Sequence, residues 1–237
     1  MDSWTVELRR WPTLFVVIFG QASNILTVLV LCRPKLRKNT CSLYLIGGSI
    51  SNTICLFTGL VYYVVSLGFG YSLSSQYRIF CKLLPFVYYS TLFLSAWFIL
   101  LACTDRYCST HSKASIRNFC RMYSAKRSIV MLPICTFRMQ LRILLYVDMT
   151  YIRPCTFLSF KFIVFFYIYY VVVYAFMTPI LYSIFAFLTI SNVHQAKKKV
   201  ILAAQKMGSI NPPPQRQQTI NGQLLRMLLV QVKFSIL

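Results

Sequence analysis

Residues 79–107 read IFCKLLPFVYYSTLFLSAWFILLACTDRY, and this stretch decides the fold class. Lys82 is its one charge near the start, and the next charges are Asp105 and Arg106 at its end. A helix needs about 20 mostly apolar residues to cross a hydrocarbon layer roughly 30 Å thick. We therefore interpret this stretch as a membrane-spanning helix that carries charged residues at both ends.

The composition of the whole chain also favours a membrane protein. Of its 237 residues, 57% are hydrophobic and 12% are charged, whereas soluble domains average about 45–50% apolar and about 25% charged residues. The net charge of +21 could also suit nucleic acid. However, the basic residues lie in short clusters between apolar runs, as in the cytoplasmic loops of membrane proteins. We therefore expect a lipid bilayer, and no nucleic acid, among the partners.

The other apolar runs predict an all-α membrane protein with about five complete spans and a partial sixth. We expect residues 1–12 to form an extracellular N-terminus and residues 13–237 to form an incomplete transmembrane domain. The last run is too short to cross a bilayer. The predicted spans are 13–32, 41–67, 79–104, 128–147 and 162–190, with the partial span at 224–237.

Basic residues cluster on one side of these predicted spans. The loop after the first span, residues 33–38, carries four positive charges, against Arg9 and Arg10 before that span. A second basic stretch, residues 113–127, follows the third span. Because cytoplasmic loops carry the excess of Lys and Arg, we predict a multi-pass protein of the plasma membrane with its N-terminus outside.

The fourth predicted span, residues 128–147, is marginal because it contains two arginines. Arg138 and Arg142 lie within the run, and Asp148 follows it directly. Placing an arginine in the bilayer core costs free energy, so such residues are rare in spans. The sequence therefore predicts a weak or divergent fourth span.

Asp105, Arg106 and Tyr107 lie where the third span is predicted to meet the cytoplasm. An ion pair at that depth can hold Arg106 in one conformation until another group competes for it. The alternative is ordinary boundary charge, and the tripeptide alone does not separate the two interpretations.

These three residues resemble the Asp-Arg-Tyr motif that ends the third helix of rhodopsin-like G-protein-coupled receptors. Cys81 lies 24 residues before Asp105, which is also the spacing of that family. At the helical rise, this separation is about 36 Å and puts Cys81 at the outer end of the same helix. The resemblance implies a disulfide to Cys155, in the loop before the fifth span, where both thiols would meet an oxidising exterior. Two unrelated thiols are the alternative.

The resemblance extends to residues inside the other spans. Asn24, Asn52 and Ser95 match positions at which the family places a polar cluster within the helix bundle. Pro179 resembles a proline that kinks the fifth helix, because proline removes a hydrogen bond to the preceding turn. Buried Asn and Ser also serve as packing residues between spans, which is the alternative for this cluster.

The third span also suggests what kind of ligand to expect. In amine receptors of the family, an aspartate seven residues after the third-helix cysteine binds the ligand, whereas Tyr88 occupies this position here. Tyr88, Tyr89 and Phe93 could line an aromatic pocket for a peptide or lipid, or they could simply pack. We predict a receptor for an extracellular ligand, most simply a peptide, that signals to a heterotrimeric G protein without a cofactor or metal.

Several features depart from the family pattern and keep other interpretations open. The sixth helix ends early and the seventh is missing, so we expect that the chain does not signal unaided. A non-signalling truncated receptor fragment is therefore the main alternative. A transporter or channel subunit is less favoured because the spans lack internal acids. An enzyme is not expected, because the sequence shows no acid pair or nucleophile constellation.

Overall fold

The computed structural model describes residues 3–68, 73–111, 113, 115–116, 122–148 and 155–206. Within these residues, five helices are long and apolar enough to cross a membrane. This confirms the predicted all-α membrane fold with five spans. The predicted partial span at 224–237 lies outside the described residues. The five spans, numbered first to fifth below, are Trp11–Leu31, Thr40–Ser66, Arg78–Thr110, Tyr123–Tyr146 and Phe160–Ala196.

The helix of the first span runs over Ser3–Leu31 and so begins well before the predicted boundary at residue 13. The second span begins as an α-helix over Thr40–Leu56 and continues through π-helical turns at Phe57–Val61 and Val64–Gly68. Asn39 caps its start, because the Asn39 side chain accepts a hydrogen bond from the backbone N–H of Cys41. A short helix, Leu73–Gln76, lies between the second and third spans.

The third span is an unbroken helix over Arg78–Thr110. The helix of the fourth span covers Met122–Tyr146 and is longer than the marginal span that the two arginines suggested. Arg138 and Arg142 both lie exposed on the outside of the bundle, so their charges are kept out of the protein core.

The fifth span combines two α-helical parts with a π-helical middle. The parts are Phe160–Tyr170, the π-helical Val171–Met177, and Thr178–Lys206. The last part continues beyond the apolar run, so the helix extends past the predicted end at residue 190.

The third span lies at the centre of the bundle and packs against the second, fourth and fifth spans. Gly47 allows the second span to approach closely, because an added Cβ there would lie 3.1 Å from the Phe98 ring. Many large apolar side chains, such as Phe19 at 69% exposure, point outward as lipid-facing residues do. The main core consists of Leu31, Cys41, Tyr44, Leu45, Leu94, Phe98, Ile99, Leu100, Ala102, Cys103, Ala125 and Tyr182.

Two short strands, which the sequence did not predict, follow the fourth span. Strand β1 is Val147–Asp148 and strand β2 is Thr156–Phe157, and they pair antiparallel with Val147 opposite Phe157. The Leu158 N–H also donates to the Tyr146 carbonyl at 2.8 Å. The pairing draws the segment before the fifth span back over the end of the fourth.

Candidate functional site

A disulfide joins Cys81 near the start of the third span to Cys155 beside strand β2, with Cα atoms 5.4 Å apart. Cys81 is fully buried, together with Ile143 of the fourth span and Phe166 of the fifth. Cys155 has a φ of 50°, a conformation that is uncommon for residues other than glycine. The pairing implied by the family resemblance is therefore present, and it anchors the β-hairpin to the bundle.

Asp148 forms a second link at the same end of the bundle. Arg78 donates to both Asp148 carboxylate oxygens at 2.7 and 2.6 Å, in the two-pronged geometry typical of strong Arg–carboxylate pairs. The Lys82 ammonium lies 3.2 Å from the same carboxylate. In the sequence, Asp148 is only a charge that follows the fourth span, because nothing in the local pattern indicates partners about 70 residues away.

At the other end of the third span, the Asp105 carboxylate bonds to the second span. The Thr40 hydroxyl is placed 2.8 and 2.7 Å from the two carboxylate oxygens, and Asp105 is 5% exposed. Sequence reasoning expected Arg106 as the partner of Asp105 and missed Thr40. Its position as the first residue of the second helix was the only available signal.

Arg106 and Tyr107 lie in the same region as Asp105. Arg106 is 7% exposed and its side chain lies within hydrogen-bonding reach of the Cys41 thiol. The Tyr107 ring packs against His111 at 5.5 Å and against Phe185 of the fifth span at 6.0 Å between ring centres. The three residues of the motif therefore contact both the second and the fifth spans.

The polar residues expected inside the bundle are only partly brought together. The Ser95 hydroxyl donates to the Asn52 side-chain oxygen at 2.5 Å and joins the second and third spans. Asn24 is 8% exposed, but among the described residues no hydrogen bond joins it to the other two. Instead, the Gln21 side chain donates to the Thr53 carbonyl at 3.0 Å and links the first span to the second.

Pro179 lies two residues after the π-helical turn of the fifth span. Proline lacks a backbone N–H, and the wider turn over Val171–Met177 changes the hydrogen bonding just before it. The Thr178 hydroxyl donates to the Val173 carbonyl at 2.8 Å within this turn. One turn later, the buried Tyr182 hydroxyl donates to the Ala96 carbonyl of the third span at 2.6 Å, a contact that the sequence analysis missed.

The candidate ligand-pocket residues Tyr88, Tyr89 and Phe93 lie in an aromatic cluster. The Tyr88 ring packs on Gly59 of the second span, where no side chain would fit. The Tyr89 ring lies 4.8 Å from that of Phe166, and the Phe93 ring stacks on that of Tyr169 at 5.7 Å. The cluster therefore joins the second, third and fifth spans in the half of the bundle nearer the disulfide.

Over the described part of the chain, no group of three or more His, Cys, Asp or Glu side chains is arranged to hold a metal ion. The candidate functional residues thus lie at the two ends of the third span. One end is cross-linked by the disulfide, and the other carries a buried acid, arginine and tyrosine.

The chain is similar to curated receptors. It is 37% identical over 101 residues to the C-C chemokine receptor type 1 of Homo sapiens, covering 40% of this chain and 27% of that receptor. This match and the two below agree with the resemblance of the chain to rhodopsin-like receptors. Two further rhodopsin-like relatives are the B1 bradykinin receptor of Canis lupus familiaris and the probable C-C chemokine receptor type 3 of Mus musculus.

The bradykinin receptor is 25% identical over 150 residues, covering 58% of this chain and 41% of that receptor. The mouse chemokine receptor is 32% identical over 109 residues, covering 43% of this chain and 28% of that receptor. The aligned parts therefore span less than half the length of these rhodopsin-like relatives. No protein-family model matches the chain.

Proposed function

We propose that the chain acts within a G-protein-coupled receptor for an extracellular peptide. The observation that carries this proposal is the arrangement of the third span. The helix has Cys81 in a disulfide at one end and buried Asp105 and Arg106 at the other. A ligand that shifts this helix on one side of the membrane would therefore move the acid and arginine on the other.

A peptide ligand is supported by the relatives and by the third span. The relatives are named as chemokine and bradykinin receptors, and Tyr88 occupies the position of the ligand-binding aspartate of amine receptors. Tyr88, Tyr89 and Phe93 would form the aromatic floor of the peptide site, which large apolar and aromatic peptide side chains could contact.

The proposed switch consists of Asp105, Arg106 and Tyr107. In the described state, Thr40 holds Asp105 against the second span while Tyr107 packs on Phe185 of the fifth. Ligand binding would favour a second packing in which these contacts change and Arg106 becomes accessible to a G protein. This is a shift between two populated arrangements, driven by the difference in ligand affinity for each. Asn52 and Ser95 would tie the middle of the bundle to this switch, and Pro179 would let the fifth span bend.

The distribution of charge supports a plasma-membrane orientation with residues 1–12 outside and a transmembrane domain over 13–237. The Thr40 contact places the basic loop 33–38 at the same end as Asp105. Lys126 and Arg127, at the start of the fourth span, also lie at this end. Asp148 lies at the other end, so the excess of positive charge supports a cytoplasmic position for the Asp105 end.

The decisive experiment measures G-protein activation in cells. The chain is expressed both alone and fused to the C-terminal helices of the human C-C chemokine receptor type 1, and it is challenged with panels of chemokines and kinin peptides. We expect a peptide to activate a G protein through the fusion, and we expect Arg106→Ala to abolish activation while surface expression persists. Activation that is unchanged by Arg106→Ala would contradict the proposed switch, and a matched Lys113→Ala variant controls for loss of an inner-end positive charge.

A further inference from the structure

A cavity of about 110 Å³ opens between the fourth and fifth spans, and it shares Phe166 and Tyr169 with the border of the aromatic cluster of the proposed peptide site. Three of its lining residues carry polar groups, namely Gln140, Arg142 and Tyr169. Apolar and aromatic side chains supply the rest of the wall: Met139, Ile143, Phe162, Phe165 and Phe166. The cavity therefore combines a few polar groups with a mainly aromatic lining, as small-molecule sites do.

Gln140 is the first observation that indicates a ligand here. The residue is only 4% exposed and lines the cavity. Within the described part of the chain, its side-chain amide makes no hydrogen bond. The amide borders the cavity, so a ligand atom there that bonds to Gln140 would be favoured.

Arg142 is the second observation. It lies four residues before the end of the helix at Tyr146, which is about 6 Å along the axis. Its guanidinium lies close enough to Tyr169 for the two side chains to interact electrostatically. Among the described residues no carboxylate pairs with it, since Asp105 bonds to Thr40 and Asp148 bonds to Arg78 and Lys82. An arginine at this depth in a span normally faces a countercharge or water.

The surroundings of the cavity indicate where the uncharged part of such a ligand would lie. Phe165 and Ile168 of the fifth span are 54% and 59% exposed, and they continue the apolar wall outward onto the lipid-facing surface. The cavity holds a headgroup and a few methylene groups, whereas a longer hydrocarbon chain would have to run along this exposed face. A ligand with one anionic head and one hydrocarbon chain matches both parts.

We propose that the cavity between the fourth and fifth spans binds a single-chain lipid with an anionic headgroup, such as a fatty-acid carboxylate. Arg142 binds the headgroup with two parallel hydrogen bonds, as guanidinium groups bind carboxylates. Gln140 and Tyr169 donate further hydrogen bonds to it. The chain lies against Phe165 and enters from the bilayer, so this ligand approaches from the lipid, whereas an extracellular peptide approaches from the aqueous side.

The test uses the full chain in nanodiscs of uncharged phospholipid. Three probes separate the parts of the ligand: oleate, oleyl alcohol with the same chain but no charge, and acetate with the charge but no chain. We expect oleate to bind saturably and to raise the melting temperature, with oleyl alcohol and acetate at least about tenfold weaker. Equal binding of oleate and oleyl alcohol would overturn the proposal, and so would equal binding of oleate and acetate.

Variants locate the site. Arg142→Gln should weaken oleate binding at least about tenfold, whereas the matched control Arg138→Gln, one turn away and outside the cavity lining, should not. A photoactivatable oleate should cross-link within Phe162 to Tyr169 in the unmodified chain, a result that does not depend on any variant folding. Oleate binding that is unchanged by Arg142→Gln, or cross-links found only elsewhere, would overturn the assignment.

Discussion

The Thr40 hydroxyl lies 2.8 and 2.7 Å from the two carboxylate oxygens of Asp105, and it joins the start of the second span to the last turns of the third. These residues are 65 positions apart in the sequence. In this arrangement Thr40 competes with Arg106 for the carboxylate that a simple acid-arginine pair would use. We therefore regard Thr40 as part of the proposed switch.

The first prediction concerns this bond. Thr40→Val keeps the branched shape of the side chain but removes the hydroxyl, leaving the buried Asp105 carboxylate without this donor. We expect the free energy of unfolding to fall by about 1.5–3 kcal/mol, as for other hydrogen bonds to charged groups. Basal G-protein activation of the fused receptor should rise, because the second span no longer holds Asp105.

The matched control is Thr27→Val, because the Thr27 hydroxyl bonds only within its own helix, to the Ser23 carbonyl at 2.8 Å. Thermal unfolding in nanodiscs and basal nucleotide exchange are the readouts. If Thr40→Val behaves like Thr27→Val in both assays, the proposed role of Thr40 is wrong.

The second prediction concerns Tyr182, which ties the fifth span to the backbone of the third. Tyr182→Phe removes the buried hydroxyl that donates to the Ala96 carbonyl at 2.6 Å. We expect a loss of about 0.5–1.5 kcal/mol in the free energy of unfolding, the usual range for one neutral hydrogen bond. Tyr167→Phe, at a residue 52% exposed, should have a smaller effect in the same thermal assay. Equal stability of the two variants would contradict the described packing of the fifth span.

The third prediction concerns the disulfide between Cys81 and Cys155. Cys155→Ser should lower the free energy of unfolding by about 2–5 kcal/mol, the range for loss of a native disulfide. It should also reduce the amount of protein at the cell surface. Cys135→Ser, at an exposed free thiol, is the control. Mass spectrometry that finds Cys81 and Cys155 both free in the surface protein would contradict the bridge.

The fourth prediction concerns Asp148, which bonds to Arg78 and Lys82 at the disulfide end of the bundle. Asp148→Asn should lower the melting temperature, and the decrease should shrink as salt is added, because Arg78 is 69% exposed and its charge is screened. Combining Asp148→Asn with Arg78→Gln should cost little more than Asp148→Asn alone, since the two changes remove the same interaction. Fully additive effects, measured by thermal unfolding, would show that the two side chains do not interact.

The features that the sequence predicted are those set by local composition or by a recognised motif. The length and apolarity of residues 79–104 are enough to indicate a spanning helix, because the bilayer thickness fixes the length required. The partnership of Cys81 with Cys155 followed from the family resemblance and not from the pattern of nine cysteines. The same resemblance singled out Asp105 and Arg106, although the hydrogen-bond partner of Asp105 in the structure is Thr40.

The features that the sequence missed depend on contacts between residues far apart in the chain. Thr40 meets Asp105, Tyr182 meets the Ala96 carbonyl, and Arg78 meets Asp148 only after the helices pack. The β-hairpin that begins at Val147 was missed because each strand has only two residues, which is too short to show the alternating hydrophobic pattern of a strand. The weak fourth span that Arg138 and Arg142 indicate stays a prediction; the structure has a continuous helix there, with both arginines exposed.

The most direct test of the central claim is the sidedness of the two ends of the first span, because the loop after it lies beside Thr40 and Asp105. One epitope tag is placed before Ser3 and another within the basic loop 33–38, and antibody binding is compared in intact and permeabilised cells. The account predicts that the N-terminal tag is labelled in intact cells and that the loop tag is labelled only after permeabilisation. Labelling of both tags in intact cells would place the Thr40 and Asp105 end outside and would contradict the receptor proposal.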